Sequence, residues 1–64
     1  MLNPIYTLNL ELDYIFVNDI ITHANTDTET RFVDWCVTNA KADAGLDNVR
    51  ALAVAAFKWW NCFL

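Results

Sequence analysis

With 64 residues, the chain is long enough for a single small domain, residues 1–64, and no more. Apolar residues make up 56% of it and aromatic residues 14%, which excludes an intrinsically disordered chain. The net charge of −4 is unevenly placed: residues 1–30 contain five acidic side chains and no Lys or Arg, whereas residues 31–64 contain three acidic and four basic ones. Direct binding of DNA or RNA is disfavoured, because nucleic-acid-binding domains carry clustered Lys and Arg.

The first predicted element is a β-strand over residues 5–17. Apolar residues alternate with polar ones there and occupy the even positions Tyr6, Leu8, Leu10, Leu12, Tyr14 and Phe16. A period of two is typical of a half-buried strand. Asn18 and Asp19 tolerate the tight turn of a hairpin, which predicts a short second strand over residues 20–23. A short helix that begins near Asn18 is the alternative.

Two helices are predicted in the second half. Thr26 and Glu29 form a capping-box pattern, which predicts a helix over residues 27–44 that ends at Gly45. Asp47 is predicted to cap a second helix that continues to the C-terminus. The apolar faces of the two helices comprise Phe32, Val33, Cys36, Val37, Ala40 and Ala44, and Val49, Leu52, Ala53, Ala56, Phe57 and Trp60. The predicted fold class is therefore α+β, an N-terminal strand or β-hairpin packed against two antiparallel α-helices.

Residue types that carry catalysis are scarce. The chain contains no serine, and His23 is its single histidine. A His23–cysteine pair could form a nucleophile and base, but an exposed histidine in a loop or at a strand end is the favoured interpretation. We predict a non-enzymatic cytoplasmic protein with no cofactor and no metal site. Cys36 and Cys62 are expected to be free thiols, with a disulfide between them as the alternative. The apolar run over residues 51–57 is too short to span a membrane.

The acidic residues are the candidate binding residues. Glu11 and Asp13, two apart on one strand face, would be spaced like neighbouring phosphates of a nucleic-acid strand, and such a surface could occupy a basic nucleic-acid-binding groove of a partner protein. Trp35, lying off the apolar helix face, is predicted to anchor the contact. Alternatively, Asp27 and Glu29 only stabilise a helix N-terminus, and Trp35 covers an edge of the core. The predicted partner-binding residues are Glu11, Asp13, Asp19, Asp27, Glu29, Asp34 and Trp35.

In its size, its acidic stretch from Glu11 to Glu29 and its lack of active-site residues, the chain resembles the small acidic proteins of phages and mobile elements, above all anti-CRISPR proteins. The resemblance implies an inhibitor that covers the basic surface of a type I CRISPR surveillance complex and blocks its binding of target DNA. These proteins share no motif, so the resemblance assigns no role to a single residue.

The alternative function is that of a homo-oligomeric assembly module. An unpaired edge of the predicted strand over residues 5–17 could pair with its copy. An apolar surface at the C-terminal helix could also self-associate, and its residues would be Trp59, Trp60, Phe63 and Leu64. A monomer is expected if the protein is an inhibitor, and a homodimer if it is an assembly module.

Overall fold

The computed structural model describes residues 3–62, which form four α-helices and contain no strand. The helices are α1 (Pro4–Asn9), α2 (Val17–Thr26), α3 (Glu29–Thr38) and α4 (Leu46–Asn61). The longest helix, α4, packs against all three others. The chain therefore has an all-α fold, and the predicted α+β class is wrong.

The predicted strand over residues 5–17 is wrong because its N-terminal half is α1. Asn3 caps this helix, its side-chain Oδ1 accepting a hydrogen bond from the Ile5 N–H at 2.9 Å, and Pro4 occupies the first helical turn. The buried residues Ile5 and Leu8 are three positions apart, as one face of a helix requires, and Leu12, which follows α1, belongs to the same buried core. The other apolar residues at even positions are exposed, and they are Tyr6, Leu10, Tyr14 and Phe16.

The predicted hairpin strand over residues 20–23 is also wrong. These residues lie inside α2, so the alternative of a helix that begins near Asn18 is confirmed. Ile20 and Ala24 are fully buried, one helical turn apart, which orients α2 toward the core.

The predicted helix over residues 27–44 is shorter than expected at both ends. Thr28 caps α3, its Oγ1 accepting from the Arg31 N–H at 3.3 Å, whereas Thr26 belongs to α2. The predicted capping box of Thr26 and Glu29 is therefore wrong. The helix ends at Thr38 because residues 39–41 make backbone hydrogen bonds with residues 11–13 instead of continuing the helical ladder.

The start of α4 also differs from the prediction. Gly45 is not the C-terminal cap of the preceding helix but the N-cap residue of α4, with an ordinary φ of −75°. Asp47 lies within the first turn rather than at the cap, where its charge still suits the helix dipole. The α3–α4 connection thus spans residues 39–45, longer than the short turn around Gly45 that was predicted.

The core lies where the other helices meet α4. Phe32 is fully buried on α3, with its ring centroid 5.8 Å from that of Phe57 on α4. The predicted inward faces of the last two helices are confirmed for Cys36 and Val49, among others. The buried residues of the described region are Ile5, Leu8, Leu12, Ile20, Ala24, Phe32, Cys36, Val49, Ala53 and Ala56.

The two cysteines are free thiols in different environments. Cys36 is fully buried, and this burial raises the pKa of its thiol to about 12. Cys62, the residue that follows α4, is exposed.

Candidate functional site

A short backbone pairing fixes the position of Glu11 and Asp13. The Asp13 N–H donates to the Asn39 carbonyl at 2.9 Å, and the Lys41 N–H donates to the Glu11 carbonyl at 3.0 Å. The Lys41 Nζ also donates to the Leu10 carbonyl at 2.7 Å. These bonds hold the two acidic residues, which follow α1, against the chain that follows α3.

Two aromatic side chains follow directly and point into solvent. Tyr14 is 99% exposed and Phe16 is 77% exposed. Tyr14 also has a φ of 52°, in the left-handed region that non-glycine residues rarely adopt and that costs about 1–2 kcal/mol. Burial of the Tyr14 side chain does not offset this cost. The backbone pairing of residues 11–13 with residues 39–41 must therefore hold the loop in this conformation.

These residues border an open groove that is larger than the one along α1. It has a volume of about 640 Å³, and Asp13, Tyr14, Phe16 and Lys41 contribute to its wall. A second groove, of about 500 Å³, runs along α1, and its wall includes Tyr6 and Leu10. Asn9 lies in the wall of both grooves, and its buried Oδ1 has no hydrogen-bond partner. This surface was not predicted from the sequence, because the alternating pattern placed these aromatic residues on the inner face of a half-buried strand.

The acidic side chains are largely unpaired. Within residues 3–62, the single ion pair joins the His23 Nδ1 to the Asp27 Oδ2 at 3.1 Å. The predicted binding residues Glu11, Asp13, Asp19, Glu29 and Asp34 accordingly make no ion pair with Lys or Arg in the part of the chain that the structure describes. Lys41 lines the same groove as Asp13 but forms no ion pair with it.

The acidic residues form two groups at opposite ends of α3. Asp27 and Glu29 lie at its N-terminal end, where α2 and α3 meet. Glu11 and Asp13 lie beside its C-terminal end, about 15 Å away along a ten-residue helix. The structure therefore does not join all the predicted residues into one patch.

Asp19 belongs with Glu11 and Asp13. Asp19 lies in the first turn of α2, where its N–H donates to the Phe16 carbonyl at 3.0 Å. Phe16 borders the same groove as Asp13. We call Glu11, Asp13 and Asp19 the open-end acidic group.

Trp35 is half-buried rather than free in solvent. Its ring stacks on that of His23 with centroids 4.1 Å apart and lies 6.2 Å from the ring of Phe32. Its neighbour Asp34 is exposed. Trp35 thus covers an edge of the core, the structural role that was weighed against an anchoring one.

The geometry also shows what His23 does. It lies in α2, and its Nδ1 contacts Asp27 rather than a thiol. The raised pKa of Cys36 keeps that thiol protonated at neutral pH, which is the opposite of an activated nucleophile.

Residues 3–62 contain neither a candidate metal site nor a candidate membrane span. No three His, Cys, Asp or Glu side chains are grouped so that they could hold a metal ion. No helix there combines the length and apolar character needed to cross a membrane.

Comparisons with protein-family models, with curated proteins and with solved structures found no match, so the fold and the site described above are what bears on function.

Proposed function

We propose that the protein is a non-enzymatic binding protein whose open-end acidic group occupies a basic, nucleic-acid-binding surface of a partner protein. The observation that carries this proposal is the unpaired state of Glu11, Asp13 and Asp19 beside two exposed aromatic rings. Surface carboxylates without a cation of their own remain available to Lys and Arg side chains of another molecule.

The charge distribution supports fast association with such a partner. A net charge of −4 on a 7.4 kDa body creates a negative field that attracts basic surfaces and repels nucleic acid. Apolar contacts slow the dissociation of a complex, and the exposed rings of Tyr14 and Phe16 can make such contacts next to the carboxylates. An anchoring role for Trp35, and partner contacts by Asp27, Glu29 and Asp34, stay predictions.

The resemblance to anti-CRISPR proteins suggests a specific partner. In that form of the proposal, the protein acts in the cytoplasm of a host cell and blocks target-DNA binding by a type I surveillance complex. A gel-shift titration of such a complex with its target DNA tests this form directly. Inhibition at micromolar protein is expected, and its absence would remove the surveillance complex as the partner.

Binding to a basic peptide tests the general proposal that the open-end acidic group binds a basic surface. We expect the wild-type protein to bind a fluorescent nona-arginine peptide with an affinity that falls steeply between 50 and 300 mM salt, since screening shortens to about 8 Å at physiological ionic strength. The double variant Glu11→Lys with Asp13→Lys should weaken binding at least about tenfold, which corresponds to about 1.4 kcal/mol.

For a comparison at equal charge, the single reversal Asp13→Lys is set against Asp47→Lys, because each changes the net charge by +2 and Asp47 is an exposed residue of α4 outside the open-end group. Asp47→Lys should keep most of the affinity, and Asp13→Lys should not. If the control and the reversal variants weaken binding equally, net charge rather than the open-end group determines the interaction. A salt-independent affinity would contradict the electrostatic mechanism.

Self-association is the second candidate function. Of its two predicted modes, pairing through a strand edge is contradicted by the structure. Residues 3–62 contain no strand, so no strand edge there can pair with a copy. Trp59 and Trp60 are half-buried against the core, while Phe63 and Leu64 lie outside the described residues. The observation that favours self-association is the exposure of Tyr6 and Leu10, at 60% and 67%. Light scattering at micromolar concentration separates a monomer from an assembly.

A further inference from the structure

We infer that the larger groove, beside Tyr14 and Phe16, accepts an arginine side chain of the partner. This inference rests on the proposed function and names the chemistry by which its surface would recognise a basic protein. The wall of this groove combines the aromatic rings of Tyr14 and Phe16, the carboxylate of Asp13 and a fixed backbone.

The aromatic faces suit a guanidinium group. Arg side chains stack on Tyr and Phe rings because the planar, delocalised cation is weakly hydrated and is attracted by the negative ring face. Tyr14 and Phe16 take part in none of the ring–ring contacts found within residues 3–62. Both ring faces are thus open to a partner's side chain.

Asp13 supplies the carboxylate. It is exposed, lies in the wall of the same groove and makes no ion pair there, although Lys41 also lines the groove. The Lys41 ammonium is engaged instead by the Leu10 carbonyl at 2.7 Å. The Asp13 carboxylate makes no ion pair with this ammonium, and Arg can bind such a carboxylate through two parallel hydrogen bonds.

The backbone that presents these groups is fixed before a partner arrives. The pairing of Glu11 and Asp13 with residues 39–41 holds one end of the loop, and α2 begins directly after Phe16 at the other end. Tyr14 keeps its left-handed conformation between these two fixed points. A prearranged site loses less conformational entropy on binding than a mobile loop would.

The charge and the aromatic lining of the groove favour an arginine side chain over a second copy of this chain and over lysine. A second copy of this chain would bring another net charge of −4 and another open-end acidic group to the same contact. Lysine would satisfy Asp13 but lacks the planar group that stacks on aromatic rings. The geometry thus favours an Arg-rich partner surface over a second copy or a Lys-rich surface.

The test compares nona-arginine with nona-lysine peptides of equal length and charge by fluorescence anisotropy. Wild type should bind the arginine peptide at least about threefold more tightly. Tyr14→Asn and Phe16→Ser should each weaken arginine binding by about two- to fivefold, the size of an exposed cation–π contact, and weaken lysine binding less. Tyr6→Ser, which removes an exposed ring from the other groove, is the matched control and should change neither affinity.

Both variants are chosen so that the fold is kept. Asn adopts the left-handed region more readily than Tyr, and Ser is a favoured N-cap residue at position 16, where Phe16 makes no capping hydrogen bond. Circular dichroism at 222 nm checks the helices of each variant.

Three outcomes would overturn the inference. Equal, salt-dependent affinities for the two peptides, unaffected by Tyr14→Asn, would reject the arginine groove and leave the acidic surface standing. Failure to bind either peptide would reject both proposals. A dimer that Tyr14→Asn dissociates would show that a second copy covers the groove.

Discussion

His23 on α2 stacks on Trp35 of α3, with ring centroids 4.1 Å apart and ring planes inclined by 20°. The same imidazole contacts Asp27 through Nδ1 at 3.1 Å, so one side chain links the end of α2 to the face of α3. Stacked pairs contribute about 0.5–1.5 kcal/mol beyond the area that they bury. In a domain of this size, such a contact is a substantial part of the total stability.

Removal of the His23 ring should destabilise the protein. We expect His23→Ala to lower the free energy of unfolding by about 1–2 kcal/mol, because the stack with Trp35 and the contact with Asp27 are both lost. Urea unfolding followed by circular dichroism measures the change. His23→Phe keeps a flat ring and should recover more than half of the loss; equal losses in the two variants would show that stacking contributes little.

The left-handed backbone at Tyr14 predicts an unusual response to exposed substitutions. Tyr14→Val should lower the stability by about 1 kcal/mol although the side chain is fully exposed, because a β-branched residue is a poor fit to a φ of 52°. Tyr14→Asn should be as stable as wild type or more so. Thermal unfolding of both variants tests this, and identical melting temperatures would mean that the loop relaxes out of the left-handed region.

The position of the α3 cap can be tested with two threonines. Thr28→Ala should cost about 1 kcal/mol, since its Oγ1 is the side-chain acceptor at the start of α3. Thr26→Ala should cost less than about 0.5 kcal/mol, because the Thr26 hydroxyl only donates back to the Thr22 carbonyl within α2. If Thr26→Ala lowers the free energy of unfolding more than Thr28→Ala does, Thr26 rather than Thr28 is the cap of α3.

The buried Cys36 makes stability sensitive to alkaline pH. Its pKa is about 12 in the folded protein, whereas an unfolded cysteine has a pKa of about 8.5. Above the unfolded pKa, the folded state binds more protons than the unfolded state, so stability falls as pH rises from about 8.5 toward 12. Between pH 8.5 and 10, wild type should lose about 1.5 kcal/mol more than Cys36→Ala.

Urea unfolding of wild type and Cys36→Ala across this pH range, with reductant present, measures the difference. Parallel curves for the two proteins would show that the Cys36 thiol ionises without unfolding. An independent check is alkylation by iodoacetamide: native protein should be modified at the exposed Cys62 and unfolded protein at both thiols.

The inward faces of the last two helices could be predicted from the sequence because a period near 3.6 is well defined there. Phe32 and Cys36 on α3 and Ala53 and Ala56 on α4 are buried as the spacing indicates. Helix ends were harder to predict. The end of α3 is set by a backbone pairing between residues 12 and 40, which no local pattern in the chain indicates.

The N-terminal third was mispredicted because exposed apolar residues imitate strand periodicity. Apolar residues are not confined to the interior, and here Tyr6 and Leu10 lie on the outer side of α1 while Leu8 is buried. The cap formed by Asn3 with Pro4 was present in the sequence and indicates a helix start. The same misprediction concealed the surface at Tyr14 and Phe16.

The bridge between Leu12 and Ala40 also bears on the order of folding events. Helical turns form from neighbours in the chain, whereas this pairing must close a loop of 28 residues, which is slower. Because α1 and α2 are short and both pack against α4, a chain emerging from the ribosome gains a settled arrangement around Tyr14 only after residues 39–41 and α4 have been synthesised. Recognition by a partner then becomes a late event in biogenesis, and a chain interrupted before that point would be inactive even with every contact residue in place.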